Sequence, residues 1–317
     1  TNNNKGISGM GYNCRLILIG RGWNVYDQMF EAYNNGASVI SCSFLAGRSG
    51  GCLSDPSDQA KIDMLNDLGV VIVASAGNGT RHDIPSGAVE PRASCGNLGN
   101  DYGYPASYDN VICVSSTTSE DKLELYGCCG DANCSVWYVH TQNNKVDILA
   151  PGFCVSACGN NNSYYTNRGG TSFSTPFVAS AIGLIKSINP CLKTPQVETI
   201  LKNSGDDVSA IGNNASYYPS PSLVPKRLNV YKAVLEAIKT VSLFFKNQTL
   251  TGTNIYQASY GIYAGTHPDF QTLTGSTSIA ANSNITFKAT EEVYLGGDFE
   301  VQSGAEFEII PTQVSCQ

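Results

Sequence analysis

Short, uninterrupted apolar runs separated by stretches of helical spacing constrain this chain more than any other feature. Residues 14–20 (CRLILIG), 37–42 (ASVISC), 70–74 (VVIVA), 111–115 (VICVS) and 146–150 (VDILA) are such runs. Met29, Phe30 and Tyr33 lie between the first two, and Ile62, Leu65 and Leu68 lead into the third, each set at helix-compatible intervals. A strand that is apolar on both faces must be covered on both faces, and helices connecting such strands make them parallel. The expectation is an α/β layered fold with a mostly parallel sheet flanked by helices. Further helices are expected over 171–187, 194–201 and 229–239. Two long stretches without periodicity, 82–102 and 117–144, are rich in Gly, Asn and Cys and read as irregular insertions.

After residue 241 the period changes from helical to two-residue alternation. Ile285, Phe287 and Ala289 alternate with Thr286 and Lys288, and the pairs Phe299/Val301 and Phe307/Ile309 repeat the pattern. The pentapeptide QTLTG occurs at 248–252 and 271–275, a degenerate β repeat of about 23 residues. The chain of 317 residues is therefore expected to hold a large α/β domain, 1–240, and a small all-β accessory module, 241–317.

Composition narrows the class. With 19 Lys+Arg against 26 Asp+Glu and no basic block, nucleic acid is not an expected partner. No apolar run reaches the ~18 residues that a membrane-spanning helix needs. Only 14% of residues are charged and twelve are Cys, a balance expected of a secreted, disulfide-bearing protein. Cys52, Cys95, Cys128, Cys129, Cys134, Cys158, Cys191 and Cys316 lie in polar contexts and are the expected bridge formers. Cys14, Cys42 and Cys113 lie in apolar runs and read as buried small hydrophobes.

The chemistry is concentrated in residues 169–185, GGTSFSTPFVASAIGLI. Two glycines permit a tight turn, Thr171 and Ser172 stand where a helix begins, and the remainder is a buried helix with small residues on its packing face. Ser172 would sit at the positive end of the helix dipole, where charge developing on an acyl-transfer oxyanion is stabilised. By itself, GTS before a helix could serve only as a cap. Upstream, residues 73–79 (VASAGNG) form a strand end followed by a Gly-Asn turn, and the Asn78 amide donates hydrogen bonds without carrying charge.

Residues 170–179 resemble the nucleophile motif G-T-S-x-[AS]-x-P-x-V-A of the subtilisin-like serine proteases, peptidase family S8. That resemblance implies a subtilisin-like three-layer sandwich, Ser172 as nucleophile, and an oxyanion site made by Asn78 and the Ser172 N–H. The related sedolisins place Asp at the oxyanion position, so Asn78 favours the subtilisin branch. Residues 39–45 (VISCSFL) resemble the family's substrate-pairing strand, implying Ser43, Phe44 and Leu45 on one wall of the cleft. Ser75, Ala76 and Gly77 would form the other wall, with Gly170 beside the nucleophile. The family's usual S-L-G-G is replaced by Ser43-Phe44-Leu45-Ala46, so side-chain preference does not carry over.

A hydroxyl nucleophile needs a base. The family's D-[ST]-G and H-G-T motifs are absent, and His82, His140 and His267 are read as structural or surface residues. Residues 1–12 (TNNNKGISGMGY) resemble the segment just after the His helix in this family, which implies a chain lacking the domain's N-terminal part. The expected function is a secreted serine endopeptidase acting on peptide or protein substrates. In that reading the Asp and His come from a preceding segment or a separate chain, and this chain alone is inactive. The alternative is a split or non-catalytic protein that binds extended peptides. No cofactor is required by this chemistry; a structural Ca2+ is implied by the resemblance alone, with no readable ligand pattern.

Overall fold

In the computed structural model of the protein, residues 7–20, 24–46, 53–78, 81–83, 89–90, 102–126, 136–159, 163–270 and 273–312 are described. The chain divides into two compact units. One comprises Thr1–Lys186 and Leu192–Ala233, the other Ser187–Cys191 and Val234–Gln317.

The first unit is built on four parallel strands, β1 (Val39–Cys42), β2 (Val71–Ser75), β3 (Val111–Thr117) and β4 (Ile148–Pro151), hydrogen-bonded in that order. Val39 pairs with Val71, Ile72 with Val111 and Val114 with Ile148. Alternate residues of β2 point to opposite faces, and all five are buried, as a sheet covered on both sides requires. Ile72 and Ala74 face a cluster with Tyr26 and Met29 of α1 (Val25–Asn34) and Ile62 and Leu65 of α2 (Pro56–Asp67). Both helices start at polar caps, Asn24 accepting from Tyr26 N–H and Asp55 from Ser57 N–H. Leu68 lies just past α2 and is exposed. The long helix α3 (Thr171–Ile188) buries Val178, Ala181, Ile182 and Ile185 completely. Helix α4 (Thr194–Ser204) follows where the spacing placed it, as does α5 (Val230–Lys239), whose residues from Val234 belong to the second unit. The layered α/β class is as expected.

The run 14–20 departs from expectation. It forms no strand, and Leu16 and Leu18 are 86% and 91% exposed. An apolar run becomes a buried strand only where neighbours pair its edges and cover its faces; among the described residues nothing does so here. Cys14 is correspondingly an exposed free thiol rather than a buried one, while Cys42 and Cys113 are free and buried as read. Cys158, expected in a bridge, is also free and exposed. Of the other expected bridge formers, Cys52, Cys95, Cys128, Cys129, Cys134 and Cys316 lie outside the described residues. The stretches read as irregular contain a four-stranded antiparallel ribbon, in the order Val89–Glu90, Arg81–Asp83, Val136–Val139, Glu124–Tyr126.

The second unit is a three-sided parallel β-solenoid of three rungs. Its strands are β5 (Leu243–Phe245), β6 (Gln248–Leu250), β7 (Thr253–Gln257), β8 (Gly261–Ala264), β9 (Thr277–Ile279), β10 (Asn284–Ala289), β11 (Glu292–Leu295), β12 (Phe299–Val301) and β13 (Glu306–Pro311). They form the parallel ladders β5-β8-β11, β6-β9-β12 and β7-β10-β13. Alternation puts Ile262, Ile279, Ile285 and Phe287 inside, all fully buried. Phe245 stacks on Phe287 at 5.2 Å between ring centroids. The QTLTG repeat is not the rung repeat, since Gln248 pairs with Thr277 and not with the second copy. What the two copies share is a closing glycine with positive φ, 75° at Gly252 and 115° at Gly275, a corner that side chains adopt poorly.

Because Phe287 packs between rungs on both sides, Phe287→Ala should lower the stability of this unit by about 3 to 5 kcal/mol. Thermal unfolding followed by far-UV circular dichroism would show it; an unchanged midpoint would place Phe287 outside the core.

Candidate active site

Parallel strands all end on one side of their sheet, so the turns after β1 and β2 converge, and helix α3 begins against both. Thr171 opens the helix. Its N–H and its hydroxyl both donate to Asn78 Oδ1, at 3.0 and 3.2 Å, and its hydroxyl oxygen accepts from Gly77 N–H at 3.2 Å. With the carboxamide oxygen committed to Thr171, the NH2 of exposed Asn78 is the end available to a ligand. Gly170 holds φ at 145°, and a Cβ there would come within 3.3 Å of Asn78 Oδ1. Asn78, Gly170 and Ser172 are thus brought together.

Ser43 is joined to them by a backbone consequence of Pro176. Proline has no N–H, so the carbonyl four residues earlier, that of Ser172, loses its helical donor. Ser43 Oγ donates to that carbonyl at 2.9 Å, and Ser172 Oγ in turn donates to the Ser43 carbonyl at 3.3 Å. Leu45 and Ala76 meet over Gly103, where an added Cβ would lie 2.6 Å from Leu45 Cδ2 and 3.3 Å from the Ala76 carbonyl. Phe44 packs partly buried against the α/β core. Ser75 and Ala76 are buried; Ser75 pairs with Val114, and Ala76 N–H donates to Val114 at 2.9 Å. Gly77 also gives its carbonyl to Thr141 N–H at 3.1 Å.

Behind Gly77 runs a buried polar chain that sequence reading did not find. Tyr218 OH donates to Gln142 Oε1, Gln142 Nε2 to Ser115 Oγ, and Ser115 Oγ to the Thr141 carbonyl, at 2.6, 2.9 and 2.7 Å. His140 is buried beside it with Nδ1 hydrogen-bonded to Ser116 Oγ. Burial away from water disfavours the imidazolium and pulls the His140 pKa down to about 4. His267 packs among Tyr263, Phe270 and Tyr294. The Lys186 ammonium donates to the carbonyls of Gly69 and Leu192. The only advance signal for the Ser43 contact was a proline inside a helix, which orphans a carbonyl without naming its donor.

A model of the subtilase family, peptidase S8, matches residues 1–222. The chain is 28% identical to thermitase of Thermoactinomyces vulgaris over 242 residues, covering 74% of this chain and 70% of thermitase. It is 30% identical to subtilisin DY of Bacillus licheniformis over 214 residues, 65% of this chain and 66% of that one. It is also 30% identical to a calcium-dependent protease of Trichormus variabilis over 311 residues, which is 84% of this chain but 44% of the relative. Among solved structures, the PatG macrocyclase in complex with peptide superposes with a TM-score of 0.52 at 17% identity, over 75% of this chain and 64% of that one. The self-cleaved protease domain of PatA gives 0.51, also at 17% identity, over 74% and 78%. The likeness to these structures is one of fold. The chain belongs to the subtilase family of serine proteases.

Two outcomes test this geometry. Ser43→Ala leaves the Ser172 carbonyl without its donor and should destabilise the first unit by about 1 kcal/mol in urea titrations; no change would mean that water replaces the hydroxyl. For His140, the unfolded chain, with its ordinary value of 6.5, takes up the proton before the folded one does. Stability from neutral His140 is therefore present above pH 6.5 and lost as pH falls toward 4, by about 3 kcal/mol in full. His140→Gln should flatten the difference between urea midpoints near pH 7 and about pH 4.5; parallel profiles for both proteins would refute it.

Proposed function

We propose that the protein is the nucleophile-bearing part of a secreted serine endopeptidase that hydrolyses peptide bonds through an acyl-enzyme on Ser172. The observation that carries this reading is the Asn78 carboxamide held through its oxygen by Thr171, which leaves its NH2 to donate, together with the Ser172 N–H, to a developing oxyanion. Ser172 attacks the scissile carbonyl. Ser43, Phe44 and Leu45 on one side, and Ser75, Ala76, Gly77 and Gly170 on the other, form the cleft for an extended peptide. Residues 1–240 make up the peptidase domain and 241–317 an accessory module.

The catalytic Asp and His belong to a preceding segment or a separate chain. Two observations support this: the Ser172 hydroxyl donates to a backbone carbonyl, and the apolar run with Leu16 and Leu18 is laid bare where a neighbour would cover it. Secretion accords with the low share of charged residues, 14%. No described helix is long and apolar enough to cross a membrane. Some relatives are named calcium-dependent proteases. Among the described residues no group of three or more His, Cys, Asp or Glu is placed to hold a metal ion.

The 317-residue chain should react with a fluorophosphonate no faster than its Ser172→Ala variant. Co-expression with a polypeptide carrying the D-[ST]-G and H-G-T motifs should produce labelling that the variant lacks. Labelling that persists in Ser172→Ala would reject the nucleophile. If no such polypeptide activates the chain yet it still binds unfolded peptides, the non-catalytic reading takes its place.

A further inference from the structure

The side chain of Leu45 reaches from one side of the candidate site to the other. A Cβ added to Gly103 would lie 2.6 Å from Leu45 Cδ2 and 3.3 Å from the Ala76 carbonyl oxygen, so the leucine methyl and the segment 75–77 converge on one spot. Gly103 is buried and its φ is outside the left-handed region, so its backbone conformation does not call for glycine. What calls for glycine is space, and Leu45 occupies that space. The neighbouring positions are small as well. Ala46 and Ala76 are buried, and at Gly77, with φ at 113°, an added Cβ would come within 2.9 Å of Thr141 Oγ1. Residues this small leave a hollow between 43–46 and 75–77, and the half-buried Leu45 side chain fills it.

The backbone around Leu45 is tied on both sides. Ala46 N–H donates to the Tyr104 carbonyl at 2.8 Å, and the Ala46 carbonyl accepts from Tyr26 OH at 2.9 Å. Two residues before Leu45, Ser43 Oγ donates to the Ser172 carbonyl at 2.9 Å. The Gly103 carbonyl is engaged too, accepting from Ser107 N–H at 2.9 Å. Making room in the hollow therefore means turning the Leu45 side chain out into water, which costs its buried apolar area.

We propose that Leu45 is a specificity-determining residue, which restricts the site to peptides with glycine or alanine at the residue that supplies the scissile carbonyl. The inference rests on the proposed peptide cleft. An extended peptide paired along 43–45 turns alternate side chains between the two walls. The residue whose carbonyl lies at Asn78 and Ser172 brings its side chain to where the Leu45 isobutyl group stands. Glycine or alanine fits over Leu45, whereas leucine or phenylalanine must displace it.

The test uses the full 317-residue chain and fluorescein-labelled tetrapeptides Ala-Ala-Ala-X with a free terminal carboxylate, followed by fluorescence anisotropy. The carboxylate stands in for the oxyanion and sets X beside Leu45. Peptides with X as glycine or alanine should bind at least about tenfold tighter than the one with phenylalanine. Leu45→Gly should bind the phenylalanine peptide about tenfold tighter than the parent chain does, and the glycine peptide within about twofold of the parent. Leu45→Ala, the milder opening, should shift the ratio in the same direction. Tighter binding cannot come from a variant that fails to fold, and circular dichroism would check each one. Equal affinity of the parent chain for the glycine and phenylalanine peptides, or a ratio that both variants leave unchanged, overturns the proposal while the cleft stands. If neither the parent nor the variants bind any of the peptides, the cleft reading itself fails and the proposal falls with it.

Discussion

Parallel pairing of β1 to β4 is the constraint on which the candidate site depends. Because the strands share one direction, the turns at 43–46 and 76–78 reach the same end of the sheet, where α3 begins. Contacts that span 129 residues, Ser43 to Ser172, and 93 residues, Asn78 to Thr171, thereby become nearest-neighbour contacts. The magnitudes fix the order of cause. Each such hydrogen bond contributes about 1 kcal/mol net, whereas each buried Val, Ile or Leu contributes about 1.5 to 3 kcal/mol. Burial of the two sheet faces sets the backbone, and the hydrogen bonds then select side-chain orientation on a frame that already exists.

The solenoid solves the burial problem in another way. α5 covers only one outer side, where Ile238 clusters with Tyr263; the inner core is covered rung by rung, as Phe245 on Phe287 illustrates. Such a stack has no internal reason to stop. The two units therefore differ in where their apolar surface becomes exposed. In the solenoid it is in the last described rung, at Leu295, Val301 and Ile309, and in the α/β unit it is in the run that carries Leu16 and Leu18.

Pattern reading succeeded where a residue's surroundings follow from its own neighbours in sequence. The continuous runs of β2, β3 and β4 and the spacing in α3 to α5 carry their burial with them. The run 14–20 has the same apolar character and still forms no strand, because composition reports what a segment would bury and not whether anything pairs with it. Alternation revealed the strands around Phe287 and Phe307, but not their ladders, since unequal corners such as those at Gly252 and Gly275 hide the rung length. A proline four residues after Ser172 orphans the Ser172 carbonyl, but that Ser43 fills it follows only from the fold. The acid-sensitive burial of His140 was likewise beyond reach, because nothing in its local sequence places it beside Ser116.

On the proposed function, one carbonyl has two occupants. The Ser43 carbonyl accepts the Ser172 hydroxyl at 3.3 Å, a long and therefore weak bond, and it also lies on the wall where an extended peptide would pair. An entering peptide N–H can replace the hydroxyl there at little energetic expense, since one neutral hydrogen bond is exchanged for another. Displacement would free Ser172 Oγ from the strand edge. Peptide binding and nucleophile release are then a single exchange at Ser43, and Ser172 stays engaged while the cleft is empty. The second Ser43 contact, from its hydroxyl to the Ser172 carbonyl, is untouched by that exchange, so the helix start holds its position while the hydroxyl moves.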